Sequence, residues 1–228
     1  MEIGKAFTFV TDDESWISKI GIGAVVAFFS ILIIPAFFLG GYQLKTMRNV
    51  MNGEEYPLPK WENWGRLFMD GLFVVVAAFV YTLPIWLLAC IGIVLSFLVG
   101  DSSAGGAVNV VFWIFGGCFI IFFVIAMAFI LPAIYIQYVR TDDFGALFRF
   151  GEVIGIAREN LVDILITLLV TLAAWFVLSL ITTILSITIC GGIIATYAGT
   201  VWISVAMGHL YGQIAAKTNG KVKEAYAA

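Results

Sequence analysis

The sequence predicts an all-α fold: a polytopic transmembrane helical bundle of about five spans, with interfacial amphipathic helices. Three observations predict it. First, 62% of the 228 residues are hydrophobic and only 12% are charged, where a soluble domain has under about half apolar and about a quarter charged. Second, the mean hydropathy is +1.04, more apolar surface than a chain this size can bury in one water-soluble core. Third, the stretches 20–44, 71–100, 102–139 and 164–216 contain no Asp, Glu, Lys or Arg. A span needs roughly 20 apolar residues, so the last stretch is long enough for two. A soluble enzyme, a disordered regulator and a nucleic-acid binder are excluded together. The net charge of −3 gives no electrostatic reason to bind DNA or RNA.

The chain reads as a single integral membrane domain, 1–228. The first span is expected over about 17–41, with Pro35 near its far end. The second covers about 71–99 and contains Pro84; proline inside a span kinks it rather than ending it. The turn Gly100 to Gly106 leads to the third, about 108–138, with Pro132 inside. The fourth covers about 162–188. Cys190-Gly191-Gly192 supplies a tight turn, and the fifth covers about 193–216.

All twelve Lys and Arg fall at or before Lys19, ahead of the first apolar run, in 42–70, in 140–161 and after Ala216. The short turns at 100–107 and 189–192 carry none. The positive-inside rule therefore places 42–70, 140–161 and the C-terminus in the cytoplasm. Five full crossings put residues 1–16 outside, which suits their acidic character. A faint repeat argues the other way. Ile3-Gly4-Lys5-Ala6-Phe7, Trp64-Gly65-Arg66-Leu67-Phe68 and Phe144-Gly145-Ala146-Leu147-Phe148 share one pattern, and each precedes a span. A repeat of surface helix plus hairpin starts the first copy in the cytoplasm too, with 17–41 broken near Pro35 and re-entrant. The outside placement has a slight edge, and the sequence leaves both open. The start, Met1 to Lys5, lacks the basic region of a cleaved signal peptide.

Two connections read as interfacial helices. In 61–71, Trp61, Trp64 and Phe68 recur at helical spacing. In 144–157, Phe144, Leu147, Phe148, Gly151 and Ile154 do the same. Trp and Tyr prefer the headgroup level, and an apolar helical face lies flat there. Trp61, Trp64, Phe144 and Phe148 are the expected anchors.

Groups that carry chemistry are scarce. No GxSxG, HExxH or Walker loop occurs. The charge-free stretches hold no carboxylate for an aspartate dyad or for proton coupling. His209 reads as a packed imidazole, because a haem ligand would need a second signal. Cys90, Cys118 and Cys190 behave as small apolar residues; a Cys90–Cys118 disulfide is open but not favoured. No catalytic, metal or cofactor site is expected.

The most specific pattern is on the last span. Gly192, Thr196, Thr200, Ser204, Gly208, Gly212 and Ala216 lie four apart without a break, so they share one helix face. A small face lets another helix approach closely, with hydroxyls available across the contact. Its partner is another span of the same chain, a second copy, or a different membrane protein. A hydroxyl-lined pore is a further alternative.

The run Gly53-Glu54-Glu55, then Leu58-Pro59-Lys60-Trp61, then Trp64-Gly65 and Phe68-Met69-Asp70-Gly71 is distinctive. It resembles a family of archaeal and bacterial multi-pass membrane proteins, the domain-of-unknown-function family 4013. The resemblance implies this architecture and a prokaryotic cytoplasmic membrane. It supplies no catalytic residue. The expected function is a non-enzymatic accessory, scaffold or assembly subunit acting through helix–helix contacts in a lipid bilayer. The alternative is a small channel or facilitator with an uncharged path.

Overall fold

A computed structural model describes residues 1–99 and 103–227, and no strand forms among them. A short amphipathic helix, α1 (Ile3–Asp12), buries Ala6, Phe9 and Val10 and turns its other face outward. It meets α2 (Trp16–Phe28) at 103°. A 3-10 turn, Phe29–Leu32, follows, and then α3 (Ile34–Met51). Two long helices, α4 (Trp64–Val99) and α5 (Ser103–Thr141), form an antiparallel hairpin. A 3-10 turn (Gly145–Phe148) and α6 (Phe150–Glu159) lead to a second long hairpin, α7 (Leu161–Leu185) and α8 (Ile189–Ala227). Helices α4, α5, α7 and α8 are each long and apolar enough to cross a membrane.

The first expected span is not one rod. Ile33 breaks it, with φ +67° and ψ −53°, a region a β-branched residue rarely enters. The chain then turns back. Both the start of α2 and the end of α3 meet Trp61: its indole N–H donates to the Lys19 carbonyl (2.8 Å) and its ring stacks on Tyr42 (4.1 Å). From Lys19 to Leu32 is about 20 Å of helix, short of a hydrocarbon core of about 30 Å. So α2 and α3 form a helical hairpin whose two ends lie together at one end of the bundle. The break suits lipid: the Ile33 N–H bonds to the Ser30 carbonyl (2.9 Å), Ala36 N–H bonds back to Ile33 (3.0 Å), and Pro35 has no N–H to strand.

The contacts of the N-terminal segment bear on the placement that the sequence left open. Glu2 N–H donates to Gln213 Oε1 (2.8 Å), near the same end of α8 where Lys217 pairs with Asp163. The N-terminal segment therefore lies at the end that carries 42–62, here called the base.

Two helices at the base also differ from expectation. Residues 61–71 are not a separate interfacial helix. Asn63 takes a left-handed conformation (φ +55°), and its carbonyl accepts the N–H groups of Arg66 and Leu67. That starts α4, which runs on into the span unbroken. The expected face of 144–157 is also out of phase. A non-helical Arg149 interrupts the helix, so Leu147, Val153 and Ile156 are buried while Phe150 and Ile154 are exposed.

The main core sits toward the base. Leu44 and Met47 of α3, Val74 and Ala77 of α4, Ile134 and Ile136 of α5, Leu147, and Tyr211 and Ile214 of α8 pack together. A second cluster joins Phe9, Ile20, Tyr42 and Leu58 to Val201 and Val205 of α8.

Candidate functional site

The family-like run at 53–71 folds into a plug across the mouth of the α2–α3 hairpin. Gly53 takes φ +75°, and the chain doubles back so that Asn49 Nδ2 donates to the Pro57 carbonyl (3.0 Å). Leu58, held extended by Pro59, is buried at 2% exposure. Tyr42 Oη donates to the Pro59 carbonyl (2.7 Å) and Lys19 Nζ to the Leu58 carbonyl (2.8 Å). Lys19 Nζ also bonds Asp13 Oδ2, both side chains being about nine-tenths buried. Ser15 donates its N–H and its hydroxyl to Asp13 Oδ1 (2.8 and 2.6 Å). Burial alone would raise the Asp13 pKa, but the bonds from Lys19 and Ser15 outweigh it and hold the carboxyl below its ordinary value.

Above the plug lies an open polar cleft of about 770 Å³. Asp12, Glu14, Glu54 and Glu62 line it together with Lys45 and Lys60. Lys45 reaches Glu62 at 3.7 Å. The acidic lining is continuous with solvent, and the plug forms its floor.

Beside the plug, a charge network ties three helices. Asp70 of α4 is 1% exposed. It accepts from Arg48 of α3 (3.2 Å), from Arg66 Nε (2.9 Å) and from the Tyr138 hydroxyl of α5 (2.7 Å). Asp142 takes the other arm of Arg48 (2.9 Å) and pairs with Arg66. Two acids and two guanidiniums balance in charge, so none is stranded in a low-dielectric site. Sequence reasoning named Asp70 only within the family-like run and did not place Asp13, Lys19, Arg48 or Tyr138 in a site.

The expected seam on α8 divides in two. Its base half is taken up inside the chain. A Cβ added at Gly208 would sit 2.9 Å from the Gln43 carbonyl, and one at Gly212 2.8 Å from that of Met47. Ser204 Oγ lies 3.5 Å from Gln43 Oε1. The far half is more open, and Thr196 is exposed. Thr196 and Thr200 turn their hydroxyls onto their own helix, at the Gly192 and Thr196 carbonyls (2.8 and 2.7 Å). Gly192 packs against Ser186 of its own hairpin turn, and Ala216 is half-buried.

Of the expected anchors, Trp61 belongs to the plug. Trp64 is 41% exposed and stands 5.4 Å from Phe38. Phe144 lies tilted against Phe73 at 4.6 Å, and Phe148 packs against the main core. His209 is buried beside Phe9 (4.7 Å). Its Nδ1 accepts from Gln213 Nε2 (3.0 Å). Cys90, Cys118 and Cys190 are free thiols. Gly92 faces Phe112 and Gly116 faces Leu88. That register sets Cys90 level with Ile114, about a helical turn from Cys118, so the two are not opposed.

Four long apolar helices, a helical hairpin beside them and a polar, charge-balanced base define a polytopic integral membrane protein. The chain belongs to the family described as Protein of unknown function (DUF4013), whose model matches residues 28–187. That range holds the α2–α3 turn, the plug and the whole α4–α5 hairpin. No curated protein and no solved structure matches the chain.

Proposed function

We propose that this chain is a non-enzymatic membrane subunit, an accessory or assembly factor that holds another membrane protein by helix–helix contact. It sits in a prokaryotic cytoplasmic membrane with its base and C-terminus toward the cytoplasm. The supporting observation is the outer arm of the α4–α5 hairpin. Beyond Tyr81 and Met127, over 82–98 and 105–126, the buried residues are all glycines: Gly92, Gly105 and Gly116. The arm packs chiefly on itself and presents large side chains on every other side, including Phe97, Phe115 and Phe122. Lipid tails are as apolar as leucine, so burial gives such an arm no drive to close on its own bundle. It is free to pack against helices of another protein. The facilitator reading loses support where Thr196 and Thr200 spend their hydroxyls on their own helix.

A photo-crosslinking residue placed at Phe115 or Phe122 in native membranes tests this. The expected product is a discrete polypeptide adduct, absent when the same probe replaces Tyr56 at the cleft. Adducts to lipid alone would overturn the proposal. Adducts to a second copy of the chain would make the partner a homo-oligomer and retain the contact.

A further inference from the structure

A groove separate from both the cleft and the α4–α5 arm runs along α8. Helices α2 and α7 each pack on α8, and the space between them stays open. Its floor is small: Ala195, Ala198 and Gly199. One wall is α7, from Val170 through Ala174 to Ile181, and the other is α2 at Trp16 and Ile20. Phe7 of α1 closes the base end, and Trp16 meets Trp202 edge-on at 5.5 Å. The volume is about 700 Å³, within the usual range of ligand pockets.

We infer that this groove holds one hydrocarbon chain of a bilayer lipid whose headgroup rests beside α1. Four observations point to that occupant. Residues 164–216, which form the floor and one wall, carry no charged side chain, so the groove opens at hydrocarbon depth. Water does not fill a cavity lined this way. From Val170 to Ile181 is about 17 Å of helix, close to the half-thickness of a core of about 30 Å. A further helix does not fit: at about 10 Å across and 1.5 Å per residue, one needs roughly 120 Å³ per residue, and the groove would hold under two turns. The indoles of Trp16 and Trp202 stand toward the base end, the position such rings favour near headgroups.

Native mass spectrometry of the protein, extracted gently from its membrane, tests the inference. One lipid per chain is expected to stay bound at collision energies that strip the rest. Ala174→Phe fills the groove and is expected to lower that occupancy at least tenfold. Leu172→Phe, on the exposed face of α7, leaves it unchanged. Nanodiscs doped with lipid brominated along its chains read the same site in the unaltered fold. Trp fluorescence should show a quenched fraction that exchanges slowly, and W16F/W202F should lose it. No retained lipid, equal retention in Ala174→Phe, or quenching indifferent to W16F/W202F would each overturn the inference.

Discussion

Lys19 shows how one residue can set the geometry of a whole segment. Its ammonium is held by Asp13 and by the Leu58 carbonyl, and its own carbonyl takes the Trp61 indole N–H. Removing one partner of a buried pair leaves the other charge uncompensated, which costs about 3–5 kcal/mol; replacing both with apolar groups is far cheaper. Lys19→Met is therefore expected to destabilise by about 3 kcal/mol, because the cleft next to Asp13 admits some water. The double variant Lys19→Met/Asp13→Leu should recover most of that in thermal unfolding in detergent. The pH dependence follows from the same pair. The folded-state pKa of Asp13 is lowered, so its contribution is present above the unfolded value of about 3.9 and is lost as pH falls through the folded value. Melting of the wild type should drop on acidification below about pH 4. Asp13→Asn should lack that part of the drop and be less stable at neutral pH. Ile33 makes the opposite case. A β-branched residue at positive φ costs about 1–3 kcal/mol, and its side chain is 69% exposed. Ile33→Gly is expected to raise stability by about 1 kcal/mol. A fall in melting temperature would show that the Ile33 side chain packs in the membrane more than its exposure suggests.

Helix α3 is the keystone among the elements because glycines bring it close on two sides. Against α4, a Cβ at Gly41 would collide with the Leu67 carbonyl oxygen, and one at Gly71 with that of Phe37. Against α8, Gly208 and Gly212 meet the backbone of α3 in the same way. Backbone cannot swing aside as a side chain does, so overpacking here forces whole helices apart, at a cost of about 3 kcal/mol. Gly71→Ala is expected to lower the unfolding temperature markedly and to loosen the α3–α4 contact in hydrogen exchange. Gly117→Ala, with nothing within 4 Å of the new methyl, should be neutral or gain up to about 1 kcal/mol from helix propensity. The spacing of small residues on α8 was legible in the sequence, because a four-residue period needs no tertiary knowledge. Which half of that face meets α3 was not, since the answer depends on where α3 ends. The Gly41 and Gly71 contact escaped notice for a related reason: two isolated glycines thirty residues apart carry no period. The plug was hidden more deeply still, because Lys19 and Leu58 are separated by 39 positions and an extended Leu-Pro segment looks like any loop.

At the scale of the molecule, composition alone was enough to announce the membrane, because burying so many apolar side chains in water has no solution at this length. Hydropathy could not distinguish a span from a U-turn. A re-entrant hairpin and a crossing helix have the same apolar content, and the difference rests on Ile33 and on the plug that holds the hairpin's two ends together. The turn reorganises the topology into three hairpins, α2–α3, α4–α5 and α7–α8, all entering from the base. The descending helix of each carries a similar device toward the base. Lys45-Thr46, Arg140-Thr141 and Lys217-Thr218 each put a cation beside a threonine whose hydroxyl bonds the carbonyl four residues back. The Lys and Arg residues up to Lys217 then belong to the base, while the hairpin tips near 31 and 187 and the sequence between α4 and α5 have none. A uniform distribution of that kind gives the positive-inside rule no conflict to resolve. Compartment reporters inserted ahead of Met1, after Gly53, after Gly145 and after Ala228 are expected to fall on one side of the membrane, the cytoplasmic side. Reporters after Asp101 and after Ile187 should fall on the other. A cysteine at Ile31, 87% exposed in the protein yet set in lipid, should resist charged thiol reagents applied from either side. An N-terminal reporter found opposite the one after Gly53 would make 16–51 a true crossing, and the re-entrant hairpin and its plug would have to be abandoned together.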